Sequence, residues 1–377
     1  MMGVFHDLDA YGHEQVVFFH DKESGLKAII GVHSTVLGPS LGGCRMWKYS
    51  DEAAALRDVL RLSRGMTYKA AVADLKLGGG KAVVIADART EKTPELLEAF
   101  GKAVESVAGR YITAEDVGMS VKDIDYIRNF TKHAVGGSNE GGSGDPSVMT
   151  AFGCFQGIKA ALKHAGLGEK LEGLKVAVQG VGNVGYHLCS YLSAAGAKLI
   201  ITDIYPNQVE KVVQEFDATV VTPDQIYAVD ADIFAPCALG AILNERTIPQ
   251  LKCKIVAGSA NNQLENDLDG KALADKGIVY CPDYAINAGG LINVAAEIDG
   301  YNKELVLNKV SKIYETIDLI LSRSESEGVL PQEAAAQIAE QRLQQASFIK
   351  KAEKSIGENF LDSTLSSSSQ NIRAKVR

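Results

Sequence analysis

Near the start of the chain, two short runs dominated by apolar residues, 15–19 (QVVFF) and 26–33 (LKAIIGVH), are parted by charged residues ending in Gly25, and they predict a β-hairpin. Leu56, Val59 and Leu60 then recur at helical spacing opposite an arginine-rich face. This predicts a helix over 53–64, with Ser50 as its cap and Asp51 and Glu52 at its positive end. The glycines at 78–80 lead into an apolar strand at 82–86, and Thr93-Pro94 opens a further helix, proline being harmless at a first helical position. After a glycine- and serine-rich segment at 136–147, read as an interdomain linker or a functional loop, the pattern changes. A helix at 151–164, a strand at 175–178, a helix from Asn183 and a strand at 198–202 alternate, which predicts a parallel sheet covered on both faces. Strand-like pieces follow at 218–221, 233–234, 254–256 and 279–280. Val306, Val310, Ile313, Ile317 and Ile320 form the stripe of one packed helix, Pro331 starts another, and the serine-rich end 361–377 reads as disordered.

Composition narrows the function classes. A chain of 377 residues suits two domains and a cleft between them. A net charge of −8 removes support for a nucleic-acid partner, and 46% hydrophobic against 23% charged residues is an ordinary globular balance. Six scattered cysteines with no C-x-x-C pair suggest a reducing compartment and no thiolate metal site. His6, His13 and His20 are evenly spaced across strands and turns, not along one helix face, so no metal is expected. Without a signal peptide or a membrane-length apolar run, the chain reads as soluble and cytoplasmic, with no membrane partner.

The most specific local signal is Gly180-Val181-Gly182-Asn183-Val184-Gly185-Tyr186, a G-x-G-x-x-G motif directly after an apolar strand and at the start of a helix. Gly180 serves the tight turn, Gly182 lets backbone N–H groups reach a pyrophosphate, and Gly185 permits close helix–strand packing. The next strand ends in Asp203, eighteen residues past Gly185, where a carboxylate can hold the adenosine ribose hydroxyls. That acid would repel a 2′-phosphate, and Ile204 and Tyr205 follow it with no arginine, so NAD is expected rather than NADP.

A second concentration of chemistry lies in the first half: GPSLGGCRMW around Gly42, GMTYK ending at Lys69, KLGGGK ending at Lys81, and TAEDVG around Asp116. A lysine beside consecutive glycines can be pressed against a ligand and desolvated, which favours its neutral form and base catalysis. The same spacing also suits an exposed loop lysine at 81 and a helix-end cation at 69.

The runs GPSLGGCRMW, RGMTYKAAVADLKLGGGKAV, GRYITAEDVG, AVQGVGNVGYHLC, APCALGAILN, VAGSANNQL and CPDYAINAGGLINVA resemble the family of glutamate, leucine, phenylalanine and valine dehydrogenases, most of all its leucine dehydrogenases. The resemblance runs from about Gly12 to the helix after Pro331. It implies NAD-dependent, reversible oxidative deamination of an L-amino acid to its 2-oxo acid and ammonia. It also implies that Lys81 activates the attacking water, that Lys69 grips the substrate α-carboxylate, and that Asp116 moves protons to and from the substrate nitrogen. Asn261, Ser147 and Thr150 resemble residues near the nicotinamide, and Asn287 an amide facing substrate or cofactor; Ser147 and Thr150 also suit a helix start.

The family's glutamate enzymes carry a lysine before the paired glycines, and here Leu41 precedes Gly42. Leu41, Met66, Ala114, Leu291 and Val294 would line an apolar pocket in which a glutamate side chain is left unpaired. Leucine, valine or isoleucine is expected, with an aromatic amino acid as the alternative, since a methylene or two shifts discrimination by only about 1–3 kcal/mol. Cys44, Gly80, Val135 and Leu291 depart from the leucine pattern, and Val135 and Leu291 bear on the pocket. A different class, a silent NAD-binding sensor, would keep the glycine fingerprint without needing the lysines and acid. The expected architecture is α/β: residues 1–135 as a mixed-sheet domain for substrate and oligomerisation, 136–330 as a Rossmann-type NAD domain, and 331–360 as a helix returning to the first. The resemblance implies a homo-oligomer, an octamer or a dimer.

Overall fold

The computed structural model describes residues 4–138 and 142–373. Its first half contains α1 (Val4–Tyr11), β1 (Gln15–Asp21), β2 (Leu26–Ser34), β3 (Ser40–Trp47), α2 (Glu52–Val72), β4 (Gly78–Ile85), α3 (Pro94–Ser106), β5 (Tyr111–Glu115) and α4 (Val121–Ile127). These strands form one mixed sheet in the order β1-β2-β4-β3-β5, antiparallel as far as β4 and parallel beyond it. α3 and α4 cover one face through Phe100, Ile124 and Ile127, and α2 covers the other by packing Val59 and Leu60 on Ile29 and Val83.

The second half continues with α5 (Ser147–His164), β6 (Lys175–Gln179), α6 (Asn183–Ala194), β7 (Lys198–Thr202), α7 (Pro206–Phe216), β8 (Thr219–Val220), β9 (Ile233–Pro236), β10 (Ile255–Val256), α8 (Asp267–Asp275) and β11 (Val279–Tyr280). Its sheet has the order β11-β10-β9-β6-β7-β8 and is parallel throughout, with separate apolar clusters on its two faces. Order reverses between β6 and its neighbours, which is where doubly wound sheets open a ligand crevice. α9 (Asp283–Ile286), α10 (Gly289–Ala295), α11 (Lys303–Ser311), α12 (Ile313–Glu327) and α13 (Pro331–Arg373) complete the chain. α13 returns to α2, where Arg342 donates to the carbonyls of Ala71 and Val72 at 2.6 and 2.8 Å and Tyr68 donates to Glu340 at 3.0 Å.

Several local expectations need correction. The cap of α2 is Asp51, not Ser50: its carboxylate accepts from the Ala54 N–H at 2.7 Å, while Ser50 merely donates to Asp51. The glycines at 78–80 are inside β4, not a lead-in to it, because β4 must run very close to its neighbours: a Cβ on Gly79 would stand 2.0 Å from the Thr67 nitrogen. The stripe from Val306 to Ile320 is divided between α11 and α12, which meet around Lys312. The stretch 361–377 continues α13 as far as Arg373, since nothing past Gly357 breaks a helix, and 374–377 lie outside the described residues. Among the described residues all six cysteines are free, no cluster of ligating side chains could hold a metal, and no helix is long and apolar enough to cross a membrane.

Candidate active site

β3, β4 and β5 run parallel and bring three short segments to one end of the first sheet, so that residues far apart in sequence share a cleft of about 750 Å³ with α2, α9 and α10. Close strand approach is a precondition. A Cβ on Gly42 would lie 1.8 Å from the Gly80 carbonyl oxygen, so only glycine admits this spacing.

Lys81 projects from β4 and is only 6% exposed, which removes the loop-lysine reading. Its Nζ stands 3.1 Å from Oδ2 of Asp116, just past β5. Burial works against ionisation of Asp116, but Lys81 and then Arg45 outweigh it and hold the carboxyl below its usual range. Lys69 lies in the last turn of α2, so the helix-end description holds, and it also points into the cleft. Its Nζ donates to Oδ1 of buried Asn287 at 2.6 Å, and Asn287 in turn donates to the Ser259 carbonyl at 3.0 Å and to Oδ1 of Asn261 at 2.7 Å. Burial draws the Lys69 ammonium down to about 8, offset in part by Asp283. An ammonium with three donors and one hydrogen-bond partner among the described residues is placed to receive an anion.

Leu41, Met66, Ala114, Leu291 and Val294 all line the same cleft, and they cluster with Val135, Ile112 and Leu77 into a continuous apolar floor. Cation, acid and floor therefore form one site, suited to a small molecule with a charged head and a hydrocarbon tail.

The glycine motif sits at the edge of the second sheet. Gly180 has φ +92°, Gly182 caps α6 without any side-chain cap, and a Cβ on Gly185 would lie 2.0 Å from the Gly180 carbonyl oxygen. Space beside Gly182 is open. Uncapped N–H groups at a helix start suit a phosphate. Asp203 is fixed by the N–H groups of Val181 and Tyr205 at 2.7 and 3.0 Å, and the adjacent Thr202 hydroxyl is buried without a partner among the described residues. Val184 reaches the cleft, whereas Tyr186 turns to α7, donating to Glu215 at 2.5 Å under the Lys211 ammonium. Asn183 is exposed at the start of α6. Thr150 lines the cleft and donates to the Pro146 carbonyl at 3.0 Å; Ser147 begins α5 but makes no side-chain cap.

Sequence reasoning did not single out Arg45, Asp58, Ser259 or Asp283. Arg45, Ser259 and Asp283 lie inside quoted motifs, in GGCRM, VAGSANNQL and CPDY, and that position was the available signal.

The profile of the "Glu/Leu/Phe/Val dehydrogenase, dimerisation domain" matches residues 13–133, and that of the "Glutamate/Leucine/Phenylalanine/Valine dehydrogenase" matches 141–206 and 201–350. The chain is 54% identical over 341 residues to a leucine dehydrogenase of Bacillus cereus, covering 90% of this chain and 93% of that one. It is 50% identical to an L-tryptophan dehydrogenase of Nostoc punctiforme, over 91% of this chain and 96% of the relative. The crystal structure of L-tryptophan dehydrogenase from Nostoc punctiforme superposes with a TM-score of 0.82 at 48% identity, covering 91% and 99% of the two chains. A glutamate dehydrogenase structure from Peptoniphilus asaccharolyticus, 20% identical over 93% and 94% of the chains, shares the fold with a TM-score of 0.73.

Proposed function

The chain belongs to the glutamate/leucine/phenylalanine/valine dehydrogenase family and is an amino-acid dehydrogenase, and on that premise we propose that it converts L-leucine, and also valine and isoleucine, reversibly to the 2-oxo acid, ammonia and NADH. The observation that carries this reading is the Leu41-lined apolar floor beside Lys69, Lys81 and Asp116 in a single cleft. A substrate carboxylate on Lys69 directs the Cα of the amino acid toward Lys81 and Asp116, with its side chain on the floor. Asp116 takes a proton from the substrate nitrogen. Once the Cα hydride has been lost, neutral Lys81 takes a proton from the water that attacks the imine carbon, and Asp116 then returns its proton to the nitrogen. As the C–N bond breaks and ammonia leaves, the carbinolamine hydroxyl gives its proton to the vacated Asp116 and becomes the carbonyl of the 2-oxo acid.

The residues of the second sheet fit a dinucleotide: the left-handed Gly180, the open face of Gly182, the uncapped start of α6 and the anchored Asp203. A nicotinamide bound there supplies the hydride acceptor. Asp203 favours a free ribose hydroxyl over a 2′-phosphate and therefore NAD over NADP.

An aromatic amino acid is the second reading, favoured by the similarity to tryptophan dehydrogenases. A cytoplasmic homo-oligomer also belongs to this proposal. The oligomer, though not the location, is supported by the outer edge of β1, which is unpaired among the described residues and where Phe18 is 54% exposed, and light scattering tests it.

The test is formation of the reduced nicotinamide from L-leucine with NAD or with NADP, and with Lys81→Ala as control. NAD is expected to be preferred, and the variant is expected to lose roughly 10²–10⁴-fold in kcat while binding NAD normally. Full activity in the variant contradicts the role of Lys81. Tight NAD binding with no turnover of any amino acid by the unmodified protein favours the sensor instead.

A further inference from the structure

Oδ2 of Asp116 is shared between two cations. Lys81 Nζ approaches it at 3.1 Å, and Arg45 donates Nε–H to the same atom at 3.0 Å. We propose that Arg45 is a positioning residue that keeps Asp116 anionic and in place to receive the proton of the substrate nitrogen, whatever the charge on Lys81. The inference rests on the acid–base roles given to Lys81 and Asp116 above.

A base passes through a neutral state in every turnover. When Lys81 is neutral, Asp116 has lost one of its two adjacent charges, and a largely buried carboxylate that loses a cation tends to take up a proton. A protonated Asp116 could not then receive the proton of the substrate nitrogen. The Arg45 guanidinium does not deprotonate, so its charge stays on the carboxylate whatever the state of Lys81. One side of Asp116 is thus fixed while the other can change.

The fold holds this guanidinium at both ends. Parallel pairing of β3 with β5, in register at Cys44 and Glu115, sets Arg45 beside Asp116. Its Nη1 donates to Oδ2 of Asp58 in α2 at 3.0 Å. Asp58 is itself held by Tyr49 at 2.7 Å and Arg61 at 3.0 Å. A planar fork meets both carboxylates; a lysine ammonium cannot occupy both positions. The groups that bear on Asp116 are Lys81 from β4, Arg45 and Cys44 from β3, Glu115 and Tyr111 from β5, and, farther off, Lys69 of α2 and Tyr49. Only Lys81 and Arg45 among them touch its carboxylate with a positive charge. Burial opposes the charge of Arg45 too, and Asp116 and Asp58 together more than restore it.

The experiment is a carboxyl NMR titration of the ligand-free enzyme labelled with ¹³C-aspartate, with the Asp116 signal assigned by its loss in Asp116→Asn. Arg45→Met is expected to raise the Asp116 midpoint by about one to three pH units. The acid limb of kcat/KM for L-leucine should move by a similar amount. Arg45→Lys is expected to keep the midpoint closer to that of the unmodified enzyme while lowering kcat, because charge survives and the fork does not. An unchanged midpoint in Arg45→Met overturns the proposal, as does an equal displacement in Arg45→Lys. If Arg45→Met does not fold, Arg45→Gln, which keeps a donor without the charge, is expected to show the same rise, and no rise there is equally fatal. The titration needs no turnover. Failure of the catalytic reading would appear separately, as full activity in Asp116→Asn.

Discussion

At the end of α2 the Lys69 ammonium is held against the amide of Asn287, and burial brings it down to about 8. Its ordinary value is 10.5, so between pH 8 and 10.5 the unfolded chain binds this proton and the folded one does not. Stability contributed by this position therefore rises with pH across that window and is least below it. Lys69→Met should consequently stabilise the ligand-free protein more at pH 7 than at pH 10, by roughly 2–3 kcal/mol, while weakening amino-acid binding. Denaturant unfolding at the two pH values checks this, and an equal effect at both contradicts it. Lys69, Lys81 and Asp116 could be named as candidates because each stands in a compact motif that resembles the family's. Arg45 stands in such a motif too, but its pairing with Asp116 and Asp58 could not be read, because it depends on the β3–β5 register and the face of α2 above it, and neither leaves a trace in local spacing.

Glycine-rich stretches hid elements from a reading that counts apolar side chains. β4 begins at Gly78, four residues before Ala82, the first side chain that such a reading can count, and β3 holds the pair Gly42-Gly43. In the second half, where apolar strands alternate with helices, the strands and the start of α6 were easier to place, whereas α7, α8 and α10 were not singled out. The two kinds of glycine work separate cleanly in the dinucleotide motif. Gly182→Ala adds a Cβ to open space, so the variant should unfold within about 1 kcal/mol of the unmodified protein. Its affinity for NAD should nevertheless fall, because that space is where a pyrophosphate would approach. Gly185→Ala drives a Cβ to 2.0 Å from the Gly180 carbonyl oxygen and should lose both stability and binding. Thermal melts with and without NAD distinguish the two, and a stable Gly185→Ala that binds normally contradicts this packing.

On the scale of the whole molecule, a buried carboxylate ties the end of α10 to the first half of the chain and to the connection that follows it. Glu297, just beyond α10, pairs with Arg128 of the first half and accepts the N–H groups of Gly136 and Ser143, at 3.0 and 2.6 Å, from the glycine-rich connection. That connection read equally as linker or loop in the sequence, and its anchoring to Glu297 could not be read there, since the partners lie about 160 residues apart. Glu297→Gln leaves Arg128 without its counter-charge and should destabilise the protein by roughly 3–5 kcal/mol. Because α10 also carries Leu291 and Val294, KM for the amino acid should rise more than the dissociation constant of NAD.

Oxidative deamination of an apolar amino acid requires that the floor reject a charged side chain as firmly as it accepts a hydrocarbon one. The direct measurement is kcat/KM for L-leucine, L-valine, L-isoleucine, L-phenylalanine, L-tryptophan and L-glutamate at saturating NAD. Leucine should exceed glutamate by roughly a hundredfold or more, the equivalent of leaving one carboxylate uncompensated beside Leu41. Glutamate turned over as well as leucine would contradict the account.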